Sequence, residues 1–404
     1  MSPSGLRIGL SAVLPILLLA GLLALIVRSG TLNTVRGGDA VPPVERLVVQ
    51  RIQLTDEGLI AQVLNDGPDP VTIAQVQVDD AYWSFTVDPN PTLEHLGRAT
   101  LVIPYPWVEG EAHNVRLVTS TGTTFDREIP VAVLTPRPGL EFLALFTLIG
   151  VYVGVLPVAI GLLWYPMLTQ LRRSALDFVL ALTIGLLLFL LVDATSEGME
   201  ISSALPESFQ GAVLLSFAAL AAYLLLEAIG RWLSGRRGDQ RERGSAGWVL
   251  ALLVAIGIGL HNLGEGLAIG AALSLGEIAL GSLLIVGFTL HNTTEGLAIV
   301  APLAREASTR QVQGKAPIRT LLTLGLVGGV PTIIGAWLGG FVYSQVWALA
   351  FLGMGIGAIA QVVVQILRQT AGDRALSQYL ATPPVLLGLF AGFAVMYATG
   401  MIIG

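Results

Sequence analysis

The chain has 404 residues, 53% of them hydrophobic and only 12% charged, with a formal net charge of −6. An average soluble domain carries about 25% charged residues, so this composition, with a mean hydropathy of +0.74, excludes a wholly soluble protein. The mild negative charge argues against a nucleic-acid partner. Cysteine is absent, which excludes a disulfide framework, a thiolate metal site and thiol redox chemistry.

The first apolar run spans about Ile8 to Val27, behind a single Arg7. It is longer than the roughly 7–15 residues of a signal-peptide core and lacks a clear small-residue cleavage site. Residues 1–30 are therefore read as a membrane anchor, with its N-terminus in the cytoplasm, in preference to the alternative of a cleaved signal.

Residues 31–138 contain no spanning segment. They alternate instead, as in Leu47-Val-Val-Gln-Arg-Ile, Leu59-Ile-Ala-Gln-Val-Leu and Val71-Thr-Ile-Ala-Gln-Val-Gln-Val, with turn clusters at Asn65-Asp-Gly-Pro-Asp-Pro, Asp88-Pro-Asn-Pro and Ser120-Thr-Gly. Further candidates lie at 100–103, 114–120 and 124–134. Six to eight short strands at this spacing predict an all-β, sandwich-like domain. His95 and His113 fall in turn-like contexts and are expected to be solvated, with no metal role.

From Gly139 onward, runs of spanning length recur at about 140–166, 177–194, 211–230, 247–272, 278–302, 320–342, 346–367 and 383–403. Each fits the roughly 20 residues needed to cross the hydrocarbon. The predicted architecture is an all-α polytopic membrane protein over 139–404, carrying the N-terminal transmembrane helix and the β-domain as additions. The 47 glycines suit close helix packing in lipid.

Loop charge sets orientation. Arg172, Arg173, Arg231, Arg236, Arg237, Arg241, Arg243, Arg305, Arg310, Lys315, Arg319, Arg368 and Arg374 fall in one series of loops, whereas those near 195–210, 273–278 and 342–346 hold no Lys or Arg. The basic series is expected in the cytoplasm, placing the β-domain and C-terminus outside a multi-pass cell-membrane protein.

One pattern stands apart. His261-Asn-Leu-Gly-Glu-Gly-Leu-Ala-Ile is followed by His291-Asn-Thr-Thr-Glu-Gly-Leu-Ala-Ile, matching at seven of nine positions. Polar side chains at membrane depth are costly and mark functional sites by default. Residues four apart share a helix face, so His261 pairs with Glu265 and His291 with Glu295, with Asn262 and Asn292 one residue around. If the two helices pack together, two imidazoles, two carboxylates and two amide oxygens converge, a set suited to Zn²⁺, Fe²⁺, Mn²⁺ and similar divalent ions such as Cd²⁺. The bland alternative is a pair of buried hydrogen-bonded contacts that only specify packing. Gly266 and Gly296 are expected to let the two backbones approach. Asp193, Glu197 and Glu200 follow a helical face at the end of the second run and form either an acidic entrance or a solvated helix end. Glu227 and Arg231 read as an interfacial ion pair.

The paired motifs on the fourth and fifth of eight helices resemble those of the ZIP (Zrt/Irt-like) divalent metal transporters, over about 139–404. The resemblance implies an eight-helix transporter bundle, not an enzyme, with a divalent metal ion as substrate moving toward the cytoplasm. It also implies a two-metal site. His261, Glu265, His291 and Glu295 would hold one ion, and Asn262, Asn292 and the same glutamates would help hold a second. Gly264 and Thr294 stand where that family often has Pro, so any kink must come from Gly flexibility or Thr back-bonding. Val330 stands where it often carries a Glu before Pro, implying one strong site and a weak or absent second. Gln361 and Gln365 fall where relatives often have polar or acidic residues, and either face the pathway or bond between helices. The loop 231–246 has no His, unlike the His-rich loop of many relatives. Competing classes are a non-conducting metal sensor and an intramembrane metal-dependent hydrolase, although no HExxH occurs. The β-domain would shield the entrance, bind a partner or help a homodimer form.

Overall fold

A computed structural model describes residues 44–135, 137, 139–235, 246–310, 318–342, 344–372 and 375–403, with 14, 17–22, 24 and 25 of the first apolar run. Those last few are helical. The rest of the expected anchor over 1–30 lies outside the described residues, as do Arg236, Arg237, Arg241, Arg243, Lys315 and Arg374.

The alternating segments form an antiparallel two-sheet sandwich. One sheet runs β1 (Leu47–Thr55), β2 (Gly58–Asn65), β7 (Arg98–Ile103), β5 (Thr86–Asp88). The other runs β4 (Ala81–Trp83), β3 (Val71–Val78), β8 (His113–Thr119), β9 (Thr124–Ile129), with β6 (Thr92–Leu93) paired to β3. Side chains two apart point to one face, so Leu59, Ala61 and Val63 meet Val76, Val78, Val115 and Leu117 in the core between the sheets. The nine strands among the described residues exceed the expected six to eight because β4, β5 and β6 have only two or three residues, too few for alternation to show in a sequence. The last strand stops at Ile129 rather than continuing toward Leu134.

His113 corrects the expectation of a solvated side chain, being only 4% exposed. It opens β8 in the same parity as Val115 and Leu117, so the strand carries its ring inward. There Nδ1 lies 2.8 Å from Asp79 Oδ2 and the ring meets Tyr105 edge-on. His95 is exposed, and its Nδ1–H donates to the Gly67 carbonyl at 2.8 Å. Asp79 also accepts from Tyr105 Oη at 2.7 Å and from the Asn114 N–H at 2.8 Å. Burial works against ionising this carboxyl, but the bonds from Asn114, His113 and Tyr105 outweigh it and hold the pKa below its ordinary value. Burial and the neighbouring Asp79 push the Tyr105 phenol up to about 12.

Among the described residues, eight helices are long and apolar enough to span a membrane: Leu140–Leu168, Arg173–Ala204, Glu207–Leu233, Gly247–Ser274, Leu280–Ser308, Ile318–Val342, Gln345–Ala371 and Pro383–Met401, numbered first to eighth below. The second runs beyond its expected end because Asp193, Glu197 and Glu200 continue the helix instead of ending it. The first, fourth, fifth and sixth spans pack on one another. The second, third, seventh and eighth form a second group, joined to the first chiefly through the seventh against the fourth.

The motif glycines do permit close approach, but not between the two motif helices. A Cβ on Gly266 would lie 2.1 Å from the Thr332 carbonyl oxygen of the sixth span. One on Gly296 would lie 2.2 Å from that of Val158 in the first. Each glycine follows its Glu by one residue, about 100° around the helix. The Glu face can therefore meet the other motif while the glycine face meets a third helix.

The β-domain sits on the end of the bundle whose loops lack Lys and Arg. Asp66 accepts from the Glu207 N–H at 2.8 Å and from the Ser208 hydroxyl. Arg46 pairs with Glu207, and Gly276, at φ +80°, has the Val131 carbonyl against it.

A carboxyl whose pKa is depressed by folding adds stability that is complete above its unfolded value and lost as pH falls through the folded one. Asp79→Asn is expected to speed hydrogen exchange of β3 and β8 amides at neutral pH. The expected loss is about 1 kcal/mol, modest because the carboxylate is partly solvated. The wild-type domain should lose a similar increment only below about pH 4, the ordinary range of an Asp. Unchanged exchange in the variant would rule this out.

Candidate metal centre

Both motifs lie within uninterrupted helices, Ala246–Ser274 and Ile278–Arg310. The expected back-bonding is present, since Thr294 Oγ1 donates to the His291 carbonyl at 2.6 Å. The four-residue spacing puts His261 above Glu265 and His291 above Glu295, and the two faces meet. One ligand atom from each of these four buried residues lies within 4.8 Å of every other. Asn262 and Asn292 are fully buried beside them.

Glu265 is the hub. Its Oε1 is hydrogen-bonded to His291 Nε2 and lies 3.3 Å from His261 Nε2. Its Oε2 accepts from Asn292 Nδ2 at 3.0 Å. The same amide also donates to the Val153 carbonyl of the first span at 2.9 Å. Asn262 Nδ2 donates to the Gly328 carbonyl of the sixth span at 3.1 Å. A carbonyl can only accept, so these contacts fix which amide atom is Nδ2 in each asparagine and leave Oδ1 as the atom without a partner.

The first span prepares its carbonyl. It passes from α to π geometry over Val151–Val155 and continues as Leu156–Leu162. Pro157 has no N–H to return to the carbonyl four residues back, which is that of Val153. The sixth span has Pro331 just beyond Gly328. These two carbonyls were not anticipated from the motifs, yet a proline inside a spanning helix was a readable signal for at least the first.

Several polar atoms are left over. Among the described residues, no hydrogen-bond partner serves His261 Nδ1, Asn262 Oδ1, Asn292 Oδ1, or either carboxylate oxygen of Glu295, and His261 Nε2 meets only Glu265 Oε1, at 3.3 Å. An unsatisfied buried polar group costs about 1–3 kcal/mol, more when charged. Apart from whichever His261 nitrogen bears a hydrogen, these atoms are acceptors. Such a set is stabilised by a cation, and imidazole with carboxylate and amide oxygen is a donor set for a divalent metal.

The other anticipated residues divide. Glu197 and Glu200 line a cavity of about 460 Å³ that reaches Gly264, Leu267 and Ala268, with Gln50 and Arg127 of the β-domain on its opposite wall. Glu197 interacts electrostatically with His261 and Glu265. Asp193 belongs to the same acidic face but does not line this cavity. Gln361 is buried, and its Nε2 donates to Glu227 Oε2 at 3.3 Å, joining the seventh span to the third. Gln365 is half-buried. Glu227 holds more than its expected partner Arg231, because Arg368 Nη1 also donates to it at 3.1 Å. Val330 is half-buried, and the four-residue cluster draws no carboxylate from the sixth span.

No protein-family model matches the chain, and no curated protein matches it.

Asn292→Leu strips a donor from both Glu265 and the Val153 carbonyl. It should lower stability by about 2 kcal/mol or more, measured as a lower unfolding midpoint in detergent. Gln365→Leu should leave the midpoint unchanged, and equal midpoints for all three proteins would contradict the assigned network.

Proposed function

We propose that this protein is a membrane transporter whose cargo is a divalent metal ion, with Zn²⁺ first among the candidates. One observation carries the reading: four buried His and Glu side chains converge inside an otherwise apolar bundle, beside acceptor atoms that no protein donor serves. His261, Glu265, His291 and Glu295 bind the ion, and the free Oδ1 atoms of Asn262 and Asn292 add to its shell. The resemblance of the doubled motif to the ZIP transporters agrees with this assignment. With no carboxylate at Val330, one strong site is favoured over two.

The approach is from the β-domain end. The acidic cavity opens there, and Glu197 and Glu200 raise the local cation concentration. The opposite end is tied shut. Arg305 lies 3.5 Å from Asp177, Arg368 binds Glu227, and Glu306 accepts from the Gly247 N–H at 2.7 Å. Because that end carries the basic loops, the positive-inside rule makes it cytoplasmic. The β-domain then lies outside and the ion moves inward. Release requires the two helix groups to part at the Arg305–Asp177 end while the outer cavity closes, as alternating access demands. Metal binding needs neutral imidazoles and ionised carboxylates, so affinity falls in acid.

In liposomes enclosing a zinc-sensitive dye, the wild-type protein should give Zn²⁺ influx, and Glu265→Ala with Glu295→Ala should abolish it. Influx surviving the double substitution would overturn the mechanism. Zn²⁺ binding without influx in the wild type would favour a non-conducting sensor.

Glu197→Gln with Glu200→Gln should raise the half-saturating Zn²⁺ concentration about threefold or more at low salt. The difference should shrink as salt screens the rim. A salt-independent difference would place these glutamates outside the approach.

A further inference from the structure

A second groove lies where the β-domain meets the bundle, away from the metal centre. It encloses about 580 Å³. One wall is the outer face of the β1–β2–β7 sheet, carrying Arg51, Gln53, Gln62 and Arg98. The facing wall is apolar, with Phe209, Phe341 and Trp347 from the ends of three spans. No carboxylate is among the residues that line it.

Arg51 is the anomaly. It is only 7% exposed, and its Nε has no hydrogen-bond partner. Among the described residues it pairs with no acid. Its placement follows from a β-bulge. The register slips between Val49 and Arg51, so that Val49 packs on the core before the slip and Ile52 and Leu54 after it. Arg51 is thereby turned to the outer face, opposite Gln62. A guanidinium stays protonated under all ordinary conditions, and burial here lowers its pKa from the usual value. Burying such a group unpaired is costly.

Two further features at the same groove favour an anion. Arg98, on the neighbouring strand, is exposed and has no ion-pair partner among the described residues. The seventh span also begins here, at Ser344–Trp347, and the Ser344 side chain makes no capping bond. Its first-turn N–H groups therefore lack intrahelical acceptors.

The apolar wall indicates what else the occupant must carry. Trp347 is 63% exposed, and Val342 beside it is also exposed. A Trp at the end of a spanning helix marks the membrane–water boundary. The groove thus has cationic and N–H donors on its aqueous side and aromatic rings on its hydrocarbon side. We infer that it binds the phosphate of an anionic membrane lipid, held by Arg51, Arg98 and the start of the seventh span, with acyl chains along Phe209 and Trp347. A free phosphate would use only the first half of this surface.

The inference does not depend on metal transport, and failure of the Zn²⁺ assay would leave it untouched. The test uses the full chain in dodecyl maltoside, titrated with dioleoylphosphatidylglycerol or dioleoylphosphatidylcholine and followed by native mass spectrometry. The anionic lipid should bind about tenfold tighter, the scale of one or two charge-assisted hydrogen bonds. Arg51→Gln with Arg98→Gln should reduce that preference to about twofold or less. Arg98→Gln alone, at an exposed position, should lose about threefold with an unchanged unfolding midpoint, and decides the matter if the double variant fails to fold. Equal binding of the two lipids by the wild type, or an undiminished preference in the variants, would overturn the proposal. So would displacement of the lipid by inorganic phosphate at comparable concentration, which would assign the groove to a soluble anion.

Discussion

Two carboxylates and two imidazoles buried together inside an apolar bundle impose more on this structure than any other feature. Charge in a low-dielectric interior must be paired or solvated by fixed dipoles. Glu265 meets that demand with His291, His261 and Asn292 around one carboxylate. Glu295 meets it less fully, with no donor in hydrogen-bonding geometry on either oxygen and mainly the electrostatic attraction of His261 and His291. Much of the surrounding architecture follows. The asparagines reach outward to backbone carbonyls on the first and sixth spans. A π turn and a proline make one of those carbonyls available. The glycines beside the glutamates let the same two spans come close enough to be reached.

The centre was legible because it is expensive. His and Glu in an apolar run stand out without any alignment, and their repetition at identical spacing implies convergence. The eight spans and the sandwich strands were legible for related reasons, since long apolar runs and period-2 alternation leave strong signals. What could not be read was direction around an axis. That Gly266 faces the sixth span and Gly296 the first depends on which helices are neighbours, and no local spacing encodes that. Gln361 was recognisable as polar at depth, but its bond to Glu227 depends on where the third span lies. His113 was misjudged because its turn-like neighbours obscured the parity of β8. Only the register with β9, which sets His113 opposite Ile129, shows it to be the inward start of a strand. The three shortest strands exist through pairing alone.

The β-domain shapes both cavities at its junction with the bundle. Gln50, the residue at the β1 bulge, lines each of them. A single slipped register thus turns Arg51 toward the bundle and sets a neutral amide between an acidic cavity and a basic groove. Gln345, at the start of the seventh span, lines both as well, so two neutral amides stand between the opposite fields. The loops beneath carry no Lys or Arg of their own, so the domain supplies the basic side of both sites.

The backbone contacts between the fourth and sixth spans also limit how the molecule can move. At Gly266 and Gly335 the helices touch main chain to main chain, with a hypothetical Cβ 2.1 Å from the facing carbonyl on each side. Surfaces that mesh this closely neither slide nor roll without a clash, so these helices behave as a single stiff beam. The fifth span is keyed to the first in the same manner, through Gly296 and Gly161. Freedom must then reside where side chains, which can change rotamer, form the contact. The first and sixth spans mesh too, a Cβ on Gly154 lying 2.6 Å from the Gly329 carbonyl, so the four spans around the buried cluster form one stiff block, and its seam with the seventh span, where the Val362 side chain packs at Gly257, is the place where movement costs least.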